Sequence, residues 1–304
     1  VLPGRGDGSL GPRADYDTGI NPRAVAAGDL DGDGHPDLVV VNYNDTPDYT
    51  VSVLRNRGDG TFGARTDLVV AHNPLCVTIG DLDSDGTPDL AVGNEGANSV
   101  TVLLGDGAGG FGAGTNWPVG CTPFAVAIGD LNGDGRPDLV TPGSVLLGGG
   151  GGTFARRVDF TTQAFDYAVA VGDLDNDGWA DVAMTSSDYE GYYEWGYAHD
   201  PTPNELWVLP GKGDGSFGPR VVYSTLAGPI SLAVADLNGD CRKDLAVACC
   251  GGAMVMTLRN IGTSAAGVDA SDSTTPPAFR LLAPRPNPSR GPGEIGRASC
   301  RERV

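Results

Sequence analysis

A nine-residue acidic phrase recurs five times in this chain, and any fold must bring its carboxylates together. The first copy reads Asp29-Leu30-Asp31-Gly32-Asp33-Gly34-His35-Pro36-Asp37; the others begin at Asp81, Asp130, Asp173 and Asp236, at steps of 52, 49, 43 and 63 residues. A tight turn at the position-6 glycine folds positions 1, 3, 5 and 9 toward one another, leaving a cage of hard oxygens with no positive side chain to balance it. Such a cage calls for a hard cation, and calcium fits best. Asp-Gly pairs alone often mark hairpin turns. A plain turn, however, needs no four acids, and crowding carboxylates without a cation raises their pKa values and destabilises the fold. An EF-hand would need a Glu at position 12 and flanking helices. Position 12 is instead Val40, Val92, Thr141, Met184 and Val247, and the flanks of the first copy, Ala24 to Gly28 and Leu38 to Asn42, are short apolar runs that read as strands.

The candidate ligands are Asp29, Asp31, Asp33 and Asp37 in the first loop, and Asp81, Asp83, Asp85 and Asp89 in the second. They continue as Asp130, Asn132, Asp134 and Asp138 in the third, Asp173, Asp175, Asp177 and Asp181 in the fourth, and Asp236, Asn238, Asp240 and Asp244 in the fifth. The fifth loop is expected to be the weakest of about five calcium sites. It carries Cys241 where the others have the turn glycine, Asn238 in place of an acid, and Lys243 where three others have proline.

A larger unit surrounds the loop. VLPGRGDGSLGPR opens the chain at Val1, and the phrase returns as VLRNRGDGTFGAR from Val53, VLLGDGAGGFGAG from Val102 and VLPGKGDGSFGPR from Val208, with a shortened LLGGGGGTFARR from Leu146. Each unit thus holds a strand ending at the first Asp, a second after the loop, a third ending in Val-Leu and a fourth after the Gly-Asp-Gly turn. Four antiparallel strands per repeat of about 50 residues predict an all-β chain of propeller blades, about five of them, with the acidic loop between strands 1 and 2.

These units, with Phe62-Gly63, Phe111-Gly112 and Phe217-Gly218, resemble the FG-GAP or VCBS repeats of integrin-α-like β-propellers. The resemblance spans Val1 to about Gly262 and departs from the pattern at Leu10-Gly11 and Phe154-Ala155. It implies calcium held by the acid set above, together with the position-7 backbone carbonyls of His35, Thr87, Arg136, Trp179 and Arg242. It implies no single activity, because such propellers serve adhesion, ligand binding and as scaffolds beside catalytic domains.

Charge narrows the partners. Of 39 acidic residues, 18 sit at ligand positions, and five bound calcium ions would bring the net charge from −19 to about −9. That acidity argues against nucleic acid and anionic membranes, no basic patch reverses it, and no apolar run approaches membrane-spanning length. The chain opens mid-pattern, without an initiating Met or signal peptide, and reads as the truncated start of a secreted or surface protein.

Several motifs dissolve on alignment of the repeats. Arg5-Gly6-Asp7 and Arg57-Gly58-Asp59 spell an integrin-binding tripeptide, yet the equivalent turn elsewhere is Lys212-Gly213-Asp214, so the turn chemistry sets the sequence. The glycine series from Gly6, Gly58 and Gly213 match a dinucleotide fingerprint, but a strand rather than a helix follows each. Neither a metalloprotease motif nor a nucleophile elbow is present, and the chain is read as non-enzymatic. Cys76 aligns with small strand residues and reads as a buried thiol; Cys241 is expected to lie beyond disulfide reach of Cys249 and Cys250, whereas Cys121 falls on their face and is the candidate partner.

One insertion breaks the period. Ser187 to Asp200 lengthens the fourth repeat between strands 2 and 3, on the face opposite the acidic loops, and supplies Tyr189, Tyr192, Tyr193, Trp195 and Tyr197. It reads equally as a self-packed loop or a ligand-binding loop. Residues 1–262 are therefore assigned to the propeller repeats and 263–278 to a polar linker. Residues 279–293 resemble the opening of a C-terminal sorting or Ig-like domain, and 294–304 resemble a translated sequencing adapter. The function expected is that of an extracellular calcium-binding module for a protein or carbohydrate ligand, monomeric within a larger chain. The alternative is a scaffold domain of a larger secreted enzyme acting on polysaccharide.

Overall fold

The structure, a computed structural model, describes residues 1–43, 49–160, 166–187, 204–251, 253–262 and 279–281. The apolar runs on either side of each acidic loop form strands, as their composition dictates. β1 (Pro22–Gly28), β2 (Asp37–Asn42), β3 (Thr50–Leu54) and β4 (Thr66–Val69) make the first sheet, and β5 (Pro74–Gly80), β6 (Asp89–Asn94), β7 (Ser99–Leu103) and β8 (Thr115–Pro118) the second. The third holds β9 (Ala127–Gly129), β10 (Asp138–Thr141), β11 (Ser144–Leu147) and β12 (Arg156–Asp159). β13 (Asp166–Gly172), β14 (Asp181–Ser186), β15 (Glu205–Leu209) and β16 (Val221–Ser224) form the fourth, and β17 (Pro229–Ala235), β18 (Asp244–Cys249), β19 (Met254–Asn260) and β20 (Phe279–Leu281) the fifth. Every pairing is antiparallel between sequence neighbours, the meander of a propeller blade. Among the described residues no helix is long and apolar enough to cross a membrane.

Two compact units divide the chain, 1–162 with the first three sheets and 163–304 with the last two. In each, the first strands of successive sheets lie against one another, β1 on β5 and β5 on β9 in the first unit, β13 on β17 in the second. The core therefore sits between sheets. Val39, Val41, Val51 and Val53 of the first blade pack with Leu90, Val92 and Leu103 of the second, while Leu206 and Val208 meet Leu245, Val247 and Leu258. Middle strands are buried on both faces, which is why DLVVVN and DLAVGN are continuous apolar runs rather than alternating ones. Close approach sets the first-strand glycines: a Cβ on Gly80 would lie 2.7 Å from Ile128 Cδ1 of the next blade.

Phe279–Leu281, expected at the opening of another domain, pair with β19 and complete the fifth sheet. The opening phrase of the chain forms its turn, closed by the Gly4–Leu10 bridge, without flanking strands. In the Arg-Gly-Asp turns the aspartate serves the turn itself: Asp7 Oδ1 accepts from Ser9 N at 2.8 Å, and Asp59 Oδ1 from Thr61 N at 2.9 Å. Cys249 and Cys250 are thiols, so the pairing with Cys121 is not made; Cys121 Sγ instead donates to the Pro142 carbonyl. Cys76 faces the Pro123 carbonyl at 3.4 Å, and burial pushes its thiol up to about 12.

Candidate metal centres

Each acidic loop is wound around its first aspartate. Asp29 Oδ1 accepts from Gly32 N (2.8 Å) and Asp33 N (3.1 Å), and its Oδ2 from Gly34 N (2.9 Å). Asp81, Asp130 and Asp236 repeat the pattern. The position-5 carboxylate accepts from the position-7 amide, as Asp33 does from His35 N at 2.8 Å, and the same bond recurs at Thr87, Arg136, Trp179 and Arg242. Winding this tight places two residues in the left-handed region, at positions 4 and 6: Gly32 (φ 75) and Gly34 (φ 84) in the first loop. Position 6 was legible from its glycines; position 4, occupied by Ser84 in the second loop and Asn176 in the fourth, was not. Cys241 takes φ 67 without a glycine, the strain that its sequence position implied, and is itself held in a disulfide.

Position 9 has a role that sequence reasoning missed. Asp37, Asp138 and Asp181 are fully buried. Each uses one carboxylate oxygen to accept the position-2 amide and the other to accept an amide of the turn between strands 3 and 4. For Asp138 these are Leu131 N (2.8 Å) and Gly148 N (2.7 Å); for Asp181, Leu174 N and Gly211 N, both at 2.7 Å. The aspartate thereby straps the acidic loop to the neighbouring turn. The signal available was its position at the head of a buried strand, where an acid is costly unless its oxygens are paired. Burial raises the pKa of Asp37, Asp89 and Asp138, and pushes Asp181 up to about 7.

Among the described residues the structure brings together three sets of acids whose oxygens lie within 4.8 Å of one another: Asp29, Asp31 and Asp33; Asp81, Asp83 and Asp85; and Asp173, Asp175 and Asp181. The strapping Asp37 and Asp89 stand outside the first two sets, and Asp177 outside the third. In the fourth loop Asp173 Oδ1 is buried without a hydrogen-bond donor among the described residues, and burial with the charge of Asp177 pushes Asp175 up to about 6. An orphaned anionic oxygen beside two crowded carboxylates is an arrangement that a hard cation would satisfy.

The third and fifth loops differ. Position 3 is Asn132 or Asn238, and a guanidinium stands on the position-5 acid: Arg136 on Asp134 at 2.6 Å and Arg259 on Asp240 at 3.3 Å. The Arg136 contact holds the Asp134 carboxyl below the usual range. The fifth loop also exposes its position-2 residue, Leu237 at 52 %, whereas Leu30, Leu82, Leu131 and Leu174 are buried anchors. Tyr189, Tyr192, Tyr193, Trp195 and Tyr197 lie outside the described residues.

The fold and its recurring loops define an all-β protein built of propeller blades. The chain belongs to the FG-GAP family: the FG-GAP-like repeat model matches residues 1–40, 29–92, 81–141 and 194–247, and the FG-GAP repeat model matches 165–193. No curated protein matches it. Among solved structures, an Agrocybe aegerita lectin that recognises non-reducing terminal N-acetylglucosamine is similar at TM-score 0.56 and 20% identity, over 80% of this chain and 64% of its own. BBS1N, solved in complex with ARL6DN, is similar at TM-score 0.50 and 15% identity, over 78% of this chain and 66% of its own. The chain thus spans less than two thirds of either. The V. cholerae biofilm matrix protein Bap1 aligns at TM-score 0.42 and 17% identity, over 76% of this chain and 35% of its own.

Proposed function

We propose that this chain is a non-catalytic, extracellular binding module whose acidic loops hold calcium and whose opposite face takes a carbohydrate or protein ligand. The fourth loop carries the metal reading, because Asp173 Oδ1 is a buried acceptor with no donor among the described residues, beside Asp175 and Asp181. Calcium supplies the missing positive charge to Asp173, Asp175 and Asp181, and in the first and second loops to Asp29, Asp31 and Asp33 and to Asp81, Asp83 and Asp85. These sets supply hard oxygens only, the donors that calcium takes, at affinities suited to extracellular calcium of roughly 0.1 to 1 mM.

The ligand reading rests on composition and placement. Loops between strands 2 and 3 leave the end of the blade opposite the acidic loops, and the fourth repeat's insertion there holds Tyr189, Tyr192, Tyr193, Trp195 and Tyr197. Tyrosine and tryptophan offer large faces with hydrogen-bonding tips, which suit sugars or extended peptides. The lectin from Agrocybe aegerita shares the fold and recognises N-acetylglucosamine, so this architecture is able to bear a sugar site.

Two measurements test the proposal. Melting with calcium and with chelator should differ, because a site that binds only the native state at a hundredfold excess over Kd adds about 2.7 kcal/mol. Identical melting temperatures remove the metal reading. Glycan and peptide arrays at saturating calcium should show binding that Tyr193→Ala with Trp195→Ala abolishes. Retained binding in a variant that melts like the wild type removes the insertion from the ligand site.

A further inference from the structure

A cleft of about 410 Å³ opens in the first unit between the outer strand of the first blade and the second blade, lined by Asp67, Val70, Thr101, Leu103, Gly114 and Asn116 among others. Its origin is a missing side chain. The residue three positions after each Phe or Leu of the repeat phrase is Arg13, Arg65, Arg157 and Arg220 in four copies, but Gly114 in the second blade. Two residues further on stand Asp15, Asp67 and Asp159, but Asn116 in the second blade.

The arginines of the other copies are partnered. Arg13 pairs with Asp15 at 2.9 Å, Arg65 with Asp67 at 3.2 Å, and Arg157 with Asp159 at 2.9 Å. Arg65 also donates to the Thr18 carbonyl, ahead of β1, and Arg157 to the Pro118 carbonyl at the end of β8 in the preceding blade. Arg220 lies over the ring of Trp207, 4.2 Å from its centroid. Beneath the Arg65–Asp67 and Arg157–Asp159 pairs a serine holds the acid: Ser52 on Asp67 and Ser144 on Asp159, both at 2.7 Å. The second blade has Thr101 there, on Asn116 Oδ1 at 2.6 Å, and the threonine methyl sits where a larger residue at 114 would start, 2.7 Å from a Cβ built on Gly114. Where the first and third blades have serine, arginine and aspartate, the second therefore has threonine, glycine and asparagine.

We propose that this cleft binds one ring of a neutral sugar, an inference that rests on the carbohydrate reading above and gives it a second site. The replaced pair leaves no charge behind. Asp67, the carboxylate on the rim, already pairs with Arg65, so a cation finds no vacant counter-charge and an anion none of opposite sign. Hydrogen-bonding capacity remains: among the described residues the Asn116 Nδ2 amide donates to nothing, while Asp67 accepts. Leu68, Val70 and Leu103 add an apolar wall for the C–H face of a ring. The volume falls in the roughly 300–1,000 Å³ range of small-molecule sites.

The test uses the wild-type chain at saturating calcium and methyl glycosides of glucose, galactose, mannose and N-acetylglucosamine, followed by NMR at the Gly112, Gly114 and Asn116 amides. At least one glycoside should shift these signals. The triple variant Thr101→Ser, Gly114→Arg and Asn116→Asp writes the third blade's arrangement into the second; it should melt like the wild type and bind at least tenfold more weakly. If that variant melts low, Asn116→Ala at an exposed position decides, with a several-fold loss expected. Binding unchanged in the folded triple variant, or in Asn116→Ala, overturns the site. No shift with any glycoside overturns it too, and glycan-array binding that persists in that case leaves the carbohydrate reading standing without this cleft.

Discussion

Replacing Asp138 by alanine removes the acceptor of two buried amides, Leu131 N at 2.8 Å and Gly148 N at 2.7 Å, from a residue with no exposed surface. Each buried N–H left without a partner costs about 1–3 kcal/mol, so the loss is bounded at about 2–6 kcal/mol. Desolvation of the carboxylate, which raises the pKa of Asp138, offsets part of that, and a net destabilisation of about 2–4 kcal/mol is expected. For a unit of 162 residues this lowers the melting temperature by roughly 5–15 °C. The third loop is the right place to measure, because Asn132 and the Arg136 contact make it a poorer candidate for a metal than the first, second and fourth loops. Melting is followed by circular dichroism in chelator, so that lost metal binding does not contribute. Asp134→Ala in the same loop removes an exposed acid and should leave the curve nearly unchanged. If Asp138→Ala melts with the wild type, or Asp134→Ala is equally damaging, the strap between the two turns is not what holds this end of the blade.

Calorimetric titration with calcium should find the first, second and fourth loops tighter than the third and fifth, and Arg136→Ala should strengthen the third by releasing the Asp134 carboxylate from its guanidinium; an unchanged third site with Arg136 gone refutes the electrostatic account. In the fifth loop, with wild type and variant both measured under reducing conditions so that the Cys241 disulfide is formed in neither, Cys241→Gly relieves φ 67 and should raise calcium affinity; no gain would place the weakness in Asn238 and Arg259 instead. In chelator, Asp181 at about 7 and Asp175 at about 6 bind protons in the native state that the unfolded chain releases near 3.8. Stability should therefore rise as pH falls from 8 toward 5 and be lost as pH rises through 6 to 7, whereas saturating calcium should abolish that slope. Urea midpoints at pH 5 and pH 8, with and without calcium, read this directly; a chelated protein more stable at pH 8 contradicts it.

The chain's repeat lengths, its acid spacing and its alternation of turn residues with apolar runs determine the blades on their own. DLVVVN can only be a strand buried on both faces, and Gly-Asp-Gly closes the outer hairpin through local side-chain hydrogen bonds, so both are readable from neighbours in sequence. The convergence of positions 1, 3 and 5 is equally local, because the first aspartate binds amides three to five residues on. What only the tertiary structure decides depends on partners far along the chain. Asp181 is a strap because Gly211, 30 residues on, is brought beside it, and Arg259 reaches Asp240 of the fifth loop from 19 residues away. Gly114 looked like one glycine among 48. It becomes a cleft only where two blades pack and an arginine, present in the other copies of the phrase, is absent from between them.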